Sequence, residues 1–304
     1  MYRYKRLLVG IPYGTKKSTV IRFAEKISRL ADTEKIVFLY LDSKCEEIPD
    51  DLLRDYPELA PTCDFSVRLE LEELVEKNFR RNSSIRLEFD AIEGHPLIDL
   101  LRRAKEDETD LILMHRTGES SEGSFFTKLA RKAPCSVLLV PEAIDPDFKH
   151  ILVPIDFSEH ASDAMEVSIA FALASDTKEI NCLHIYDVPL GYYKTGKSYE
   201  EFAEIMKGHA ENAFAQFVKS LDMKGIKPIP LFRLQGKKHK GIEEEILDHD
   251  DFDLIVIGSR GRKAAAGVLL GSVTEHLIKE CSIPLLAVKR KGENMGFLEA
   301  LLKL

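Results

Sequence analysis

The sequence predicts two α/β domains in tandem, each a twisted, mostly parallel five-stranded sheet flanked by helices. Three observations predict it. The 304 residues suit two domains of about 150 residues, each with a core of its own. One pattern recurs along the chain, displaced by 144 positions, which makes the second domain a copy of the first. Within each copy, short apolar runs alternate with longer amphipathic segments, the order that a parallel sheet with crossover helices requires.

In the first copy the strand-like runs are Leu7 to Ile11, Ile36 to Leu41, Leu111 to Met114 and Val137 to Val140. In the second they are Ile151 to Ile155, Ile180 to Ile185, Ile229 to Phe232, Leu254 to Ile257 and Leu285 to Val288. Continuous apolar runs of this kind suit strands covered on both faces. The repeat is visible residue by residue. Leu7-Leu8-Val9 returns as Ile151-Leu152-Val153, and Asp32-Thr33 as Asp176-Thr177, both at 144. Asp110-Leu111-Ile112 and Gly118 return as Asp253-Leu254-Ile255 and Gly261 at 143. Gly123-Ser124 then returns as Gly271-Ser272 at 148, so one loop of the first copy is five residues shorter. Between the copies, Pro141 to Asp147 holds two prolines and three acids and breaks the pattern. The boundary falls near residue 145, giving domains over 1–144 and 147–291. A tail over 292–304 follows, whose apolar spacing predicts a helix.

Composition narrows the function classes. Apolar residues make up 44% and charged residues 31%, as in an ordinary folded protein. The net charge of -8, from 51 acidic and 43 basic side chains, argues against a general nucleic-acid binder, which needs a broad Lys/Arg surface. No apolar run reaches the ~18 residues of a membrane span, and Met1 to Lys5 leads straight into a strand-like run. The expectation is therefore a cytoplasmic chain with no membrane partner. Five cysteines lie far apart with no CxxC pair and read as reduced packing residues.

The chemistry concentrates after Leu254-Ile255-Val256-Ile257. Gly258-Ser259-Arg260-Gly261 follows, then nine residues, then Gly271-Ser272 opening a helical stretch from Val273 to Glu280. Glycines at 258 and 261 are expected to let the backbone turn with positive φ and to bring main-chain N–H groups close to a ligand, where a Cβ would obstruct it. A helix N-terminus at Ser272 adds free amides and the positive end of the helix dipole, a setting for an anion. Arg260, Arg262 and Lys263 add local positive charge. The plainer alternative is a tight turn with Ser272 as helix cap.

The spacing Gly258-x2-Gly261-x9-Gly271-Ser272, followed by Val273-Thr274, resembles the nucleotide loop of ATP-binding universal stress proteins. The resemblance extends over residues 148 to 290 through Val153-Pro154-Ile155-Asp156-Phe157-Ser158, Leu183-His184-Ile185 and Pro284 to Val288. It implies the adenine nucleotide alpha hydrolase-like fold of that family in both domains. It also implies that Asp156 and the Pro154-Ile155 backbone hold the adenosine, and that Ile185 and Ile257 line the adenine pocket. Gly258, Ser259, Gly261, Arg262, Gly271, Ser272 and Val273 would then hold ribose and phosphates. Asp156-Phe157-Ser158-Glu159 also has the spacing of a capping box, so either Asp156 or Ser158 is a candidate cap.

The first copy departs from this pattern. His115 stands where Gly258 does, Pro12 where Asp156 does, and only four residues separate Gly118 from Gly123. A histidine in the phosphate approach, a proline with no carboxylate and a shorter loop predict that this half binds no ATP. His115 reads as a structural histidine.

Competing motifs fare worse. Gly191 to Ser198 fits the literal GxxxxGK-Ser pattern of a P-loop, but Asp187 to Leu190 separates it from the preceding strand; it reads as a polar, flexible loop before the helix of Phe202, Ile205, Met206 and Phe214. No GxGxxG follows a first strand. His249 to Asp253 reads as an exposed acidic turn rather than a metal site. No GxSxG nucleophile elbow occurs.

The expected function is an adenine-nucleotide-binding stress protein, with ATP, or ADP or AMP in its place, and Mg2+ as a companion ion. Binding rather than turnover is the expected event. A slow ATPase or phosphotransferase and a nucleotide-free scaffold are the alternatives. By the resemblance, the two domains pair as an intramolecular imitation of a homodimer, with protein partners and further dimerisation open.

Overall fold

In the computed structural model of the chain, residues 4–12, 18–42, 65–80, 84–93, 95–116, 122–142, 144–234, 241, 252–261, 269–290 and 292 are described. The backbone divides into unit one, Met1–Pro146 with Arg290–Leu304, and unit two, Asp147–Lys289. The helix expected in the tail falls outside the described residues.

Unit one runs β1 Arg6–Pro12, α1 Thr19–Ala31, β2 Lys35–Asp42, α2 Phe65–Asn78, β3 Arg86–Glu93, α3 Pro96–Glu106, β4 Leu111–Arg116, α4 Glu122–Lys132 and β5 Ser136–Pro141. Its strands are ordered β3-β2-β1-β4-β5, and each neighbouring pair is parallel. Unit two runs β6 Ile151–Pro154, α5 Glu159–Ala174, β7 Glu179–Tyr186, a 3-10 turn Tyr192–Thr195, α6 Tyr199–Lys219, β8 Lys227–Leu234, β9 Leu254–Gly258, α7 Ser272–Glu280 and β10 Leu285–Val288. Its order is β8-β7-β6-β9-β10, again parallel throughout. Among the described residues, both are doubly wound α/β sheets of five strands.

Burial explains which strands stand out in the sequence. The central strands β1, β4, β6 and β9 are nearly continuous apolar runs with buried side chains, as strands covered by helices must be. β3 is absent from the apolar runs because Arg86, Glu88 and Asp90 alternate with apolar residues through it. It is the outer strand of its unit, and Glu88 and Asp90 pair with Arg103 of α3 at 2.9 and 3.2 Å. β8 carries Pro228 and Pro230, which an outer strand tolerates because one side of its ladder is unpaired within the unit.

The repeat is anchored by matching side chains. Asp110 Oδ2 accepts the Lys5 and Arg6 amides at 3.0 and 2.9 Å, and Asp253 Oδ2 accepts those of Lys149 and His150 at 2.7 and 3.1 Å. Thr33 Oγ1 donates to the Tyr4 carbonyl at 2.8 Å, and Thr177 Oγ1 to that of Phe148 at 3.2 Å. Asp32 and Asp176 both take left-handed backbone, φ 48° and 56°, just after α1 and α5, where the chain must turn back. Asp253 corrects the expectation of an exposed acidic turn: its carboxyl is pushed above the ordinary value by burial, against the pull of the two amides it accepts. His249, Asp250 and Asp251 lie outside the described residues.

Cys135, Cys182 and Cys281 are buried thiols outside any disulfide. Burial pushes the Cys182 thiol up to about 12, so it packs as a small apolar group. Among the described residues, no helix is long and apolar enough to cross a membrane.

Candidate functional site

Where the strand order of unit two reverses, between β6 and β9, the connections leaving their carboxyl ends diverge and leave a crevice, the usual ligand position of a doubly wound sheet. A cleft of about 820 Å³ occupies it, within the range of small-molecule sites. Pro154, Ile155 and Asp156 come from the end of β6, Ile185 and Tyr186 from β7, Ile257 and Gly258 from β9, and Gly271, Ser272 and Val273 from the start of α7.

The glycines are required by proximity rather than by backbone sign. Neither Gly258 nor Gly261 has a positive φ, which corrects the expected left-handed turn. A Cβ on Gly258 would lie 2.6 Å from the His160 carbonyl oxygen, and one on Gly261 would lie 2.8 Å from Asp156 Oδ2. The first glycine lets the opening turn of α5 press on the end of β9. The second lets the Asp156 carboxylate reach the loop.

Gly271 is the N-cap of α7, with φ -75° and ψ 149°, and among the described residues no side chain caps the helix there. Ser272 is therefore the first helical residue, not the cap that the plainer reading assigned it. Gly271 N–H donates to the Ser259 carbonyl at 2.8 Å, and Thr274 Oγ1 donates to that of Gly258 at 2.9 Å. These two bonds pin the helix start against the turn after β9, with its dipole facing the cleft. Ser259 itself is fully buried, and its Oγ has no hydrogen-bond partner among the described residues. It backs the cleft without lining it.

Asp156 and Ser158 divide the tasks that the capping pattern left open. Ser158 Oγ accepts the Ala161 amide at 3.2 Å and caps α5. Asp156 Oδ1 accepts from Ser158 N and Oγ at 3.1 and 2.6 Å, leaving Oδ2 toward Gly261. Between them Phe157 adopts φ 63°, a strained setting for a bulky residue.

Ten of the twelve expected site residues thus line one cleft: Pro154, Ile155, Asp156, Ile185, Ile257, Gly258, Gly261, Gly271, Ser272 and Val273. Ser259 stands behind it, and Arg262 lies outside the described residues. The cleft also takes in His184, Tyr186, Asp187, Met206, Arg260, Leu270, Thr274 and Glu275. Of these, Arg260 was expected only as local charge and His184 only as part of a motif. Burial pushes the Tyr186 phenol above its ordinary value, with Lys207 opposing and Glu204 and Glu211 reinforcing. Apolar Ile155, Ile185, Ile257 and Met206, facing a free helix N-terminus, suit a ligand with a flat apolar end and an anionic end.

The matching region of unit one is built differently. β1 continues to Pro12, in register with Leu41. A Cβ on Gly10 would lie 2.9 Å from Met114 Cε, so Met114 fills the space beside that strand. His115 is fully buried as the penultimate residue of β4, its Nε2 3.5 Å from Glu142 Oε1. It packs inside the unit, as the reading of a structural histidine expected. Gly123 lies within α4, whereas Gly271 caps α7. Gly118 lies outside the described residues.

The P-loop-like stretch is also accounted for. Gly191 and Gly196 have φ 100° and 73° and bracket the 3-10 turn, so the segment is a defined turn instead of the flexible loop expected. Ser198 and Glu201 form a reciprocal capping box on α6 at 3.1 and 2.8 Å.

Comparison with known proteins agrees with this architecture. A universal stress protein of Methanocaldococcus jannaschii is 34% identical over 159 residues, 48% of this chain and 97% of that protein. The crystal structure of a universal stress protein from Archaeoglobus fulgidus superposes with a TM-score of 0.62 at 19% identity, covering 95% of this chain and 100% of that one. A functionally unknown protein from Pseudomonas aeruginosa does so with 0.64 at 15%, covering 99% and 97%. At those identities the two structures speak for the fold. The universal stress protein family matches residues 3–141 and again 147–289, and the chain therefore belongs to that family as a tandem member.

Proposed function

We propose that unit two binds an adenine nucleotide, ATP foremost, and that the chain acts in stress response as a nucleotide-dependent regulatory or protective protein of the cytoplasm. The observation that carries this reading is the cleft at the β6/β9 reversal, where the uncapped start of α7 meets the close-packed glycines and the Asp156 carboxylate. The α7 amides take phosphate oxygens, Asp156 accepts from the ribose or base, and Ile155, Ile185 and Ile257 cover the adenine faces. Mg2+ binds through one or two carboxylates plus phosphate oxygens; it would enter with the phosphates, beside Asp156 or Glu275. Unit one does not bind nucleotide in this reading, because Met114 fills the corresponding space and the strand runs through Pro12.

Purified protein, denatured and analysed by mass spectrometry for released small molecules, tests the assignment. The expected result is ATP, ADP or AMP, lost in a Gly271→Val variant whose added side chain enters the loop. A folded protein that carries none and takes up none on incubation with ATP contradicts it.

A further inference from the structure

β1 and β6 begin alike in the repeat and end differently. β1 stays paired with β2 through Ile11↔Tyr40 and Pro12↔Leu41. β6 ends at Pro154, although its sequence continues in step with that of β1. At the next rung, Ile155 N–H still donates to the Leu183 carbonyl at 2.8 Å. The Ile155 carbonyl, however, is met by His184 Nδ1 at 2.8 Å. A carbonyl only accepts, so Nδ1 carries the proton and the tautomer is fixed.

The same imidazole braces the turn that follows. Phe157, at φ 63°, lays its ring on that of His184 with centroids 4.4 Å apart and 36° between planes. Phe232 of β8 meets the other ring edge-on, 6.4 Å away. A left-handed phenylalanine persists only where its surroundings hold it. At the offset of 144 the counterpart of His184 is Tyr40, which has no ring nitrogen, and there the strand runs straight on.

We propose that His184 is a positioning residue: by taking the Ile155 carbonyl and stacking on Phe157 it ends β6 and holds the turn that aims Asp156 at the loop. The proposal deepens the nucleotide-binding reading and rests on it for its effect on affinity. It assigns the distinction between the binding and the filled unit to one side chain on a neighbouring strand, as well as to the loop itself.

The test uses the full chain and two readouts: exchange of the Ser158 amide, which donates to Asp156 Oδ1, followed by NMR, and ATP affinity by calorimetry. His184→Leu is expected to speed that exchange about tenfold and to weaken ATP by about the same factor, with Tm within about 3 °C. His184→Asn, whose amide nitrogen takes the place of Nδ1 but which lacks the ring stacked on Phe157, recovers part of both. His184→Gln, whose nitrogen falls at the Nε2 position, does not, and this pair decides the matter should the leucine variant fail to fold. In a Phe157→Gly background, where the turn needs no brace, His184→Leu changes the exchange less than about threefold. Wild-type exchange in His184→Leu, or an equal effect in both backgrounds, overturns the proposal. If the unaltered chain binds no ATP, the proposed function falls, while the Ser158 exchange still decides the role of His184.

Discussion

Gly258 and Gly261 sit three residues apart and exclude a methyl group for different reasons. At Gly258 the obstruction is backbone, the His160 carbonyl at 2.6 Å; at Gly261 it is the far end of the Asp156 side chain at 2.8 Å. Gly258→Ala must shift the first turn of α5 and is expected to cost about 1–3 kcal/mol of stability. Gly261→Ala needs only a rotation of the carboxylate, so stability stays within about 0.5 kcal/mol. Because Asp156 is displaced, ATP affinity falls about tenfold, or 1.4 kcal/mol. Thermal unfolding and calorimetry on both variants check the split; equal destabilisation contradicts it. Both glycines were legible in the sequence as a spacing, but their reason was not, since the close approaches come from α5 and from the Asp156 turn, remote in the chain. Phe157 gave no signal at all, because only tertiary packing holds a phenylalanine at positive φ. The role of His184 depends on the parallel register of β7 with β6, which a strand pattern does not disclose.

The helices and strands carry their own local logic. At Ser198 the hydroxyl and Glu201 close a capping box, so the residue that completes the P-loop pattern serves α6. On the outer side of unit one, Lys35 of β2 and Arg103 of α3 both bond Asp107 just beyond α3. Burial alone would push the Asp107 carboxyl up; the bonds from Lys35 and Arg103 outweigh it and hold the group below its ordinary 3.8. A lowered carboxyl stabilises the fold fully above the unfolded-state value and ceases to do so as pH falls through the folded-state one. Asp107→Asn is thus expected to cost about 1 kcal/mol at neutral pH. That difference should close below pH 3.8, as followed by thermal unfolding across pH. A difference that persists into acid contradicts the assignment. Strands rich in β-branched and aliphatic residues were legible at once, and the charged outer strand β3 was not. Its charged residues at 86, 88 and 90 alternate with apolar ones, the pattern of a half-buried strand, which a search for continuous apolar runs passes over.

Across the whole chain, duplication has kept the frame and let the sites diverge. The clamps Asp110 and Asp253, and Thr33 and Thr177, secure the same strand starts in both units. These are the residues through which the repeat could be read, because backbone anchoring permits few side-chain types. The cleft differs where no such constraint acts: His115 matches Gly258, Pro12 matches Asp156, and Tyr40 matches His184. Legibility of the site was therefore good for the residues on the repeat's own strands and loop. It was poor for Tyr186, Met206 and Glu275, which enter the cleft only once β7, α6 and α7 converge. The most direct test of the account is calorimetric titration of the intact chain with ATP to millimolar concentration. One nucleotide per chain is the predicted result; no uptake, or two nucleotides per chain, would contradict it.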